Sequence, residues 1–204
     1  MDILSNINVI FYLVAYLVGG IPFGLLLAKK FAGVDIKNSG SMSIGATNVL
    51  RVVKEKSPVL AKKLGIATLL LDALKGMVVL FVAYLLGVNE STLWSIAVLS
   101  VIGHCYSPYL GFEGGKGVAT GLGVMLFLLP VETIIAIFVW AVSVKIIKIS
   151  SISSLIALVV LLVSSFIIHP NLAHAPIVLI AFILSYKHIP NIVRLIKREE
   201  ERVV

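Results

Sequence analysis

The sequence predicts an all-α integral membrane protein with seven transmembrane helices, its N-terminus outside and its C-terminus cytoplasmic, some spans being short or broken. Three observations point there. Hydrophobic residues make up 59% of the 204-residue chain and charged residues 13%, with a mean hydropathy of +1.09, which excludes an ordinary soluble domain. Apolar runs recur from end to end, and a helical crossing takes about 20 residues, so no extramembrane segment is long enough to build a core of its own. The basic residues also collect on one side of those runs, as membrane orientation requires.

Asn8–Ala28 is the first span, containing Gly19, Gly20 and Pro22 and ending at Lys29-Lys30. No Lys or Arg precedes Lys29, so the basic region of a signal peptide is missing and this segment is expected to persist as a helix. Leu64–Leu86 is the second span. It holds Asp72 and Lys75 at i, i+3, where an ion pair that lowers their burial cost is expected, a functional role being the alternative. Leu93–Tyr109 is the third and runs into the glycine-rich stretch Gly103–Thr120. Val118–Leu129 is short, and Pro130 separates it from Val131–Ile147. Ile152–Ile168 and Ala175–Ile189 complete the set.

Reading Pro130 as a break between two crossings gathers the basic loop residues on one side, from Lys29, Lys30 and Lys37 through Arg51, Lys54, Lys62, Lys63 and Lys116 to Lys145, Lys148 and the segment from Lys187 onward. Asp2, Glu90 and Glu132 mark the other side, which lacks Lys and Arg. A re-entrant pair over Val118–Ile147 keeps the same parity and stays open as an alternative. Residues 1–204 are read as a single transmembrane domain.

The formal net charge of +7 does not indicate nucleic acid, because its residues lie between apolar spans. A basic cytoplasmic face attracts anionic lipids and phosphorylated substrates instead. The single cysteine, Cys105, excludes an internal disulfide and a cysteine-based zinc cluster.

Four polar segments fall on the basic face. Asp35–Arg51 (DIKNSGSMSIGATNVLR) supplies hydroxyls, glycines, Asn48 and a fixed positive charge, a phosphate-binding inventory. Within Gly103–Thr120 (GHCYSPYLGFEGGKGVAT), unhindered glycine N–H groups beside Lys116 suit an oxyanion. The stretch is not a nucleotide-binding Walker A loop, since Leu110 stands where its first glycine belongs and Gly117 follows Lys116. Lys148–Ser154 (KISSISS) places serines at a helix start, where they serve as caps or line a pocket at the positive end of the helix. His188 and Asn191 share a helical face at i, i+3, and His188 can bind substrate or transfer a proton. His169 and His174 fall on the opposite side and stand outside this set.

In this order the segments resemble the bacterial acyl-phosphate-dependent glycerol-3-phosphate acyltransferases, the PlsY family. The resemblance is carried by IPFGLLLAK at Ile21–Lys29, IGATNVLR at Ile44–Arg51, LDALKG at Leu71–Gly76, SPYLGFEGGKGVAT at Ser107–Thr120, SISS at Ser151–Ser154 and HIPNIVRL at His188–Leu195. It implies a seven-helix protein of the bacterial inner membrane with a cytoplasmic-side active site. The implied reaction moves a fatty acyl group from acyl phosphate to the 1-hydroxyl of glycerol 3-phosphate, giving lysophosphatidic acid and inorganic phosphate for phospholipid biosynthesis. No metal, cofactor, CoA or acyl carrier protein is implied at the site.

Carried over by motif, Ser41, Arg51, Lys116, His188 and Asn191 are the implied catalytic residues. Thr47, Asn48, His104, Gly114, Gly115, Gly117, Ser153 and Ser154 are the implied substrate-binding residues. The chain departs from the family's usual GSGNIGATN, since Met42 stands for a glycine and Ser43 for an asparagine. Arg198 replaces the glycine after the HxxNIxR motif, while Glu200 matches the acidic residue beyond it. The rival class is a membrane carrier for a phosphorylated small solute, which broken spans and charges at membrane depth would also suit.

Overall fold

The structure, a computed structural model, describes residues 6–202; Asp2 lies outside them. The described residues form helices and turns with no strand. The chain divides into two compact units, Met1–Val124 and Met125–Val204.

In the first unit, α1 (Ile7–Gly20) starts on an Asn6 cap that accepts the Asn8 N–H. It stops before Pro22 because proline disfavours helical geometry in the residue ahead of it, and Ile21 is extended at φ −60°, ψ 120°. The expected first span is therefore broken. α2 (Phe23–Leu27) and a wide π-helical turn (Ala28–Ala32) continue after a 40° bend. Residues 35–51, read from sequence as a polar segment, run into a short helix, α3 (Ala46–Lys54).

α4 (Pro58–Leu85) begins six residues before the predicted span, where Ser57 caps the Leu60 N–H and Pro58 takes the first helical position, as proline's missing donor allows. At 28 residues and 1.5 Å per residue it runs about 42 Å, longer than the roughly 30 Å hydrocarbon core. Lys62 and Lys63 thus sit on its first turns. One face of α4 buries Leu64, Thr68, Asp72, Lys75 and Val79, while Ile66, Leu70, Leu74, Val78 and Phe81 are exposed. A water-soluble helix would not leave such a row uncovered.

α5 (Glu90–Cys105) is capped by Asn89 and packs closely on α1. A Cβ on Gly19 would fall 2.3 Å from Ser100 O, and one on Gly103 2.2 Å from Tyr16 O. Small residues let membrane helices approach to that distance. A 3₁₀ turn (Pro108–Leu110) and the glycine-rich loop lead into α6 (Val118–Leu128). An apolar cluster of Leu25, Ala28, Ile36, Ile44, Val49, Val52, Val53, Ala61 and Leu64 underlies residues 35–51.

In the second unit, Pro130 opens α7 (Pro130–Ile147), so it does separate two helices as predicted. Lys148 at φ 62° ends α7, and α8 (Ser150–Ile168) follows. The buried Glu132 of α7 pairs with His169 at the far end of α8, and His174 stacks on Phe166 at 3.8 Å. α9 (Ala175–Lys187) bends by 48° into α10 (Ile189–Ile196).

Among the described residues, four helices or helix-turn segments are long and apolar enough to cross a membrane, and up to six if each bent pair counts as one span. The eleven-residue α6 is apolar but shorter.

Candidate active site

In the first unit the polar residues of segment 35–51 hang on one side chain. The Asn48 amide nitrogen donates to the carbonyls of Ile36 (2.9 Å), Ser39 (3.1 Å) and Ser43 (2.8 Å), and its oxygen accepts the Ser41 N–H (2.9 Å). Asn48 is 1% exposed, so its amide gives the loop its shape rather than reaching outward. Ser41 and Thr47 are half-buried on that loop, and Arg51 lies one turn beyond Asn48 on α3. Lys29 pairs with Asp35 at 2.8 Å. Its hydrogen bond, followed by the Lys37 N–H, holds the Asp35 carboxyl below the usual range. Lys37 in turn bonds Glu113 at 3.0 Å, which ties segment 35–51 to the glycine-rich loop.

That loop rests on His104. The Gly115 N–H donates to His104 O at 3.1 Å. Added Cβ atoms on Gly114 and Gly115 would lie 2.2 Å from His104 O and 2.1 Å from His104 Nε2, so only glycine fits at this approach. Gly117 is buried with φ 81°, and its carbonyl accepts the Gly121 N–H as α6 begins. Lys116 sits half-buried between Gly115 and Gly117. His104 itself is 3% exposed and lies under the loop, with Nδ1 2.9 Å from Lys75 Nζ. The expected Asp72–Lys75 ion pair is present at 2.9 Å, and His104 extends it.

In the second unit the organising group is Glu200. Its Oε1 accepts from Ser151 Oγ (2.8 Å) and Asn191 Nδ2 (2.6 Å), and its Oε2 from Arg194 Nε (2.7 Å). Burial pushes the Glu200 carboxyl up, but those hydrogen bonds and the Arg194 charge outweigh it and hold the group below its ordinary value. Because a carboxylate only accepts, the Asn191 amide must turn its nitrogen to Glu200. Asn191 Oδ1 is thereby left buried without a partner, an acceptor that a ligand hydroxyl can fill. His188 is 2% exposed, and its Nδ1 lies 2.7 Å from Leu184 O. The carbonyl cannot donate, so Nδ1 carries the proton and Nε2 the lone pair of the neutral ring.

Ser153 donates back to Ile149 O at 3.0 Å, and Ser154 Oγ accepts from Trp140 Nε1 at 3.3 Å. None of the serines is the helix cap, a position held by Ile149. Among the described residues no cluster of three or more His, Cys, Asp or Glu is arranged to hold a metal ion.

The structure thus groups Ser41, Thr47, Asn48 and Arg51 on one segment, linked through Lys37 to the loop of Gly114, Gly115, Lys116 and Gly117. It groups Asn191 with Ser151, Arg194 and Glu200 in the other unit. Motif reading omitted Lys75 and Ser151 from the site and gave Glu200 no role there. All three carry a signal in the sequence, Lys75 in LDALKG, Ser151 in SISS and Glu200 as the acidic residue beyond HIPNIVR.

Long helices that expose apolar side chains define a polytopic membrane protein, and it carries loops rich in glycine, hydroxyl and cationic residues. The sequence profile of glycerol-3-phosphate acyltransferases matches residues 9–198, and the chain belongs to that family. It is 70% identical over 204 residues to the glycerol-3-phosphate acyltransferase of Sulfurimonas denitrificans, covering 100% of both chains. Identity to the corresponding Nitratiruptor protein is 63% over 207 residues, covering 100% of this chain and 99% of that one. The fold matches a crystal structure of PlsY, an integral membrane glycerol 3-phosphate acyltransferase in its glycerol 3-phosphate form, with a TM-score of 0.86 at 32% identity over 97% of this chain and 96% of that one. The lysophosphatidic acid form matches with a TM-score of 0.84 at 33% identity, over 97% and 95%.

Proposed function

We infer that this chain is a multi-pass membrane enzyme that transfers a fatty acyl group to the 1-hydroxyl of glycerol 3-phosphate, forming lysophosphatidic acid for phospholipid synthesis. The observation that carries this reading is the near full-length likeness to PlsY, an enzyme crystallised with glycerol 3-phosphate and with lysophosphatidic acid. The donor is acyl phosphate. Its anhydride carbonyl is already activated, so no CoA, acyl carrier protein, metal or cofactor takes part at the site. The glycerol oxygen bonds to the acyl carbon, the bond from that carbon to the phosphate oxygen breaks, and inorganic phosphate leaves with the electron pair.

Binding and alignment supply most of the catalysis. Arg51 and Lys116 neutralise substrate phosphates, and Ser41, Thr47, Ser153, Ser154 and the N–H groups of Gly114 and Gly117 complete their hydrogen bonding, while Gly115 keeps its N–H on His104 O and lets the loop approach. Asn191 Oδ1 accepts from a substrate hydroxyl. His188 Nε2 takes the proton of the attacking hydroxyl, a role for which the leaving phosphate competes. Residues 1–204 serve as one transmembrane acyltransferase domain in the bacterial inner membrane. Seven crossings, counting α6 and each bent pair, put the N-terminus outside and the basic loops and active site on the cytoplasmic side.

Purified protein supplied with acyl phosphate and glycerol 3-phosphate should release phosphate and form lysophosphatidic acid in equal amounts. Failure of both, with uptake of glycerol 3-phosphate into proteoliposomes, would replace the enzyme by a carrier. Near-normal turnover of His188→Gln would assign the proton to substrate phosphate.

A further inference from the structure

The buried Asp72–Lys75–His104 cluster has no part in the chemistry above. We propose that Lys75 and His104 are positioning residues for glycerol 3-phosphate binding: the Lys75 ammonium locks the His104 ring, and that ring with its own carbonyl is the seat of the Gly114–Lys116 loop. The proposal rests on the acyltransferase reading; it adds Lys75 to it and gives His104, implied by the resemblance as a substrate-binding residue, a positioning role instead.

Lys75 lies mid-helix in α4 with its side chain 1% exposed. An ammonium has three N–H donors, and Lys75 Nζ has three partners at 2.9 Å each, Ile21 O, Asp72 Oδ1 and His104 Nδ1. Because Lys75 can only donate, His104 Nδ1 must offer its lone pair, which assigns the neutral ring's proton to Nε2. Nε2 is the atom that a Cβ on Gly115 would strike at 2.1 Å. The same residue's carbonyl accepts the Gly115 N–H, so His104 supports the loop with both backbone and side chain.

A pair serving only to lower the cost of burial would end at Asp72 and Lys75. Here a second bond goes to the residue beneath the loop, and the third partner, Ile21 O, belongs to the break between α1 and α2. The neighbouring carbonyl of that break, Gly20 O, is taken by Ser107 Oγ at 2.7 Å, on the approach to the same loop. The break and the glycine loop are therefore pinned to one ammonium. Lys116 follows directly on the supported glycines, so a tilt of the ring moves the phosphate-binding backbone and displaces Lys116 with it.

The test compares His104→Leu, which removes the acceptor for Lys75, with His104→Asn, whose Oδ1 can stand in for Nδ1. Two quantities are measured in detergent, the KM-against-kcat split for glycerol 3-phosphate and hydrogen exchange of a peptide covering residues 111–118. His104→Leu should raise KM about tenfold or more, with a smaller change in kcat and faster exchange in that peptide. His104→Asn should restore most of both. An unchanged KM, unchanged loop exchange, or an Asn variant no better than the Leu variant would overturn the proposal.

If His104→Leu does not fold, the charge-free double variant Asp72→Asn/Lys75→Met decides by the same two readouts. Lys62→Met, an exposed lysine on the same helix, controls for loss of a positive charge and should change neither. Wild-type protein without acyl transfer would defeat the functional reading alone, since loop exchange still decides whether Lys75 and His104 hold the loop.

Discussion

In segment 35–51 the organising side chain is a neutral amide, Asn48, whose four partners are all backbone groups. At the end of the second unit it is a carboxylate, Glu200, whose three partners are all side chains. An amide bonded to carbonyls dictates the path of the chain and does not titrate. A carboxylate bonded to Ser151, Asn191 and Arg194 dictates where those side chains point, and it works only while ionised. Arg51 and Ser41 thus depend on a loop shape that pH leaves alone, whereas Asn191 depends on a charge.

The largest effect should come from Asn48→Asp. The substitution keeps size and the acceptor for Ser41 N–H but replaces the donor to three carbonyls with an oxygen that repels them. Two N–H donors, shared among three carbonyls, are lost at about 1 kcal/mol each, and with the cost of carbonyls left unpaired in a buried site the loss is roughly 3 kcal/mol or more. Thermal unfolding in detergent should show that loss, and acyl transfer should fall about a hundredfold as Arg51 loses its support. An active, stable Asn48→Asp enzyme would mean that the apolar cluster beneath the loop, not the amide, holds its shape.

Glu200 should give a smaller, pH-dependent effect. Its folded-state carboxyl is held below the ordinary glutamate value of 4.5. Its contribution is therefore fully present above that value and is lost as pH falls through the depressed folded one. At neutral pH, Glu200→Gln should cost about 2 kcal/mol, because charge-assisted bonds become neutral and one side-chain donor now faces others. Wild type and variant should converge in unfolding midpoint as pH falls from neutral through the depressed folded-state value. A constant difference across that range would show that the carboxylate's shape, rather than its charge, orients Asn191.

Much of this is legible in the sequence. Composition and loop charge indicated a helical membrane protein, and the i, i+3 spacing of Asp72 and Lys75 indicated their ion pair. His104 as third member was not legible, because it depends on how α5 packs against α4 rather than on any spacing along the chain. α3 was missed because ATNVLRVVK is rich in β-branched residues that weaken helix propensity; Val49, Val52 and Val53 are helical because they are buried. The early start of α4 was available in Ser57-Pro58, a cap followed by a first-position proline. Glu200 returns to Ser151 and Asn191 just beyond Arg198 at φ 60°, a left-handed turn that arginine does not advertise.

That turn has a counterpart in the other unit, and the two give the smallest effect. Met42 and Arg198 stand where the resembled family carries glycine, and both keep left-handed φ, 56° and 60°. Each therefore bears the Cβ clash that glycine avoids, about 1–2 kcal/mol. Restoring glycine relieves it but loosens the unfolded chain by about 0.4–1 kcal/mol, so each reversion should gain roughly 0.5–1 kcal/mol. Met42→Gly should gain more, since Asn48 fixes the residues on both sides of it and the loop cannot relax around the clash. Arg198→Gly should gain less, because Arg198 and its neighbours on either side are exposed and can share the strain. Unfolding midpoints of the two variants measure this directly, and the opposite ranking would show that the carboxylate-held turn is the more rigid of the two.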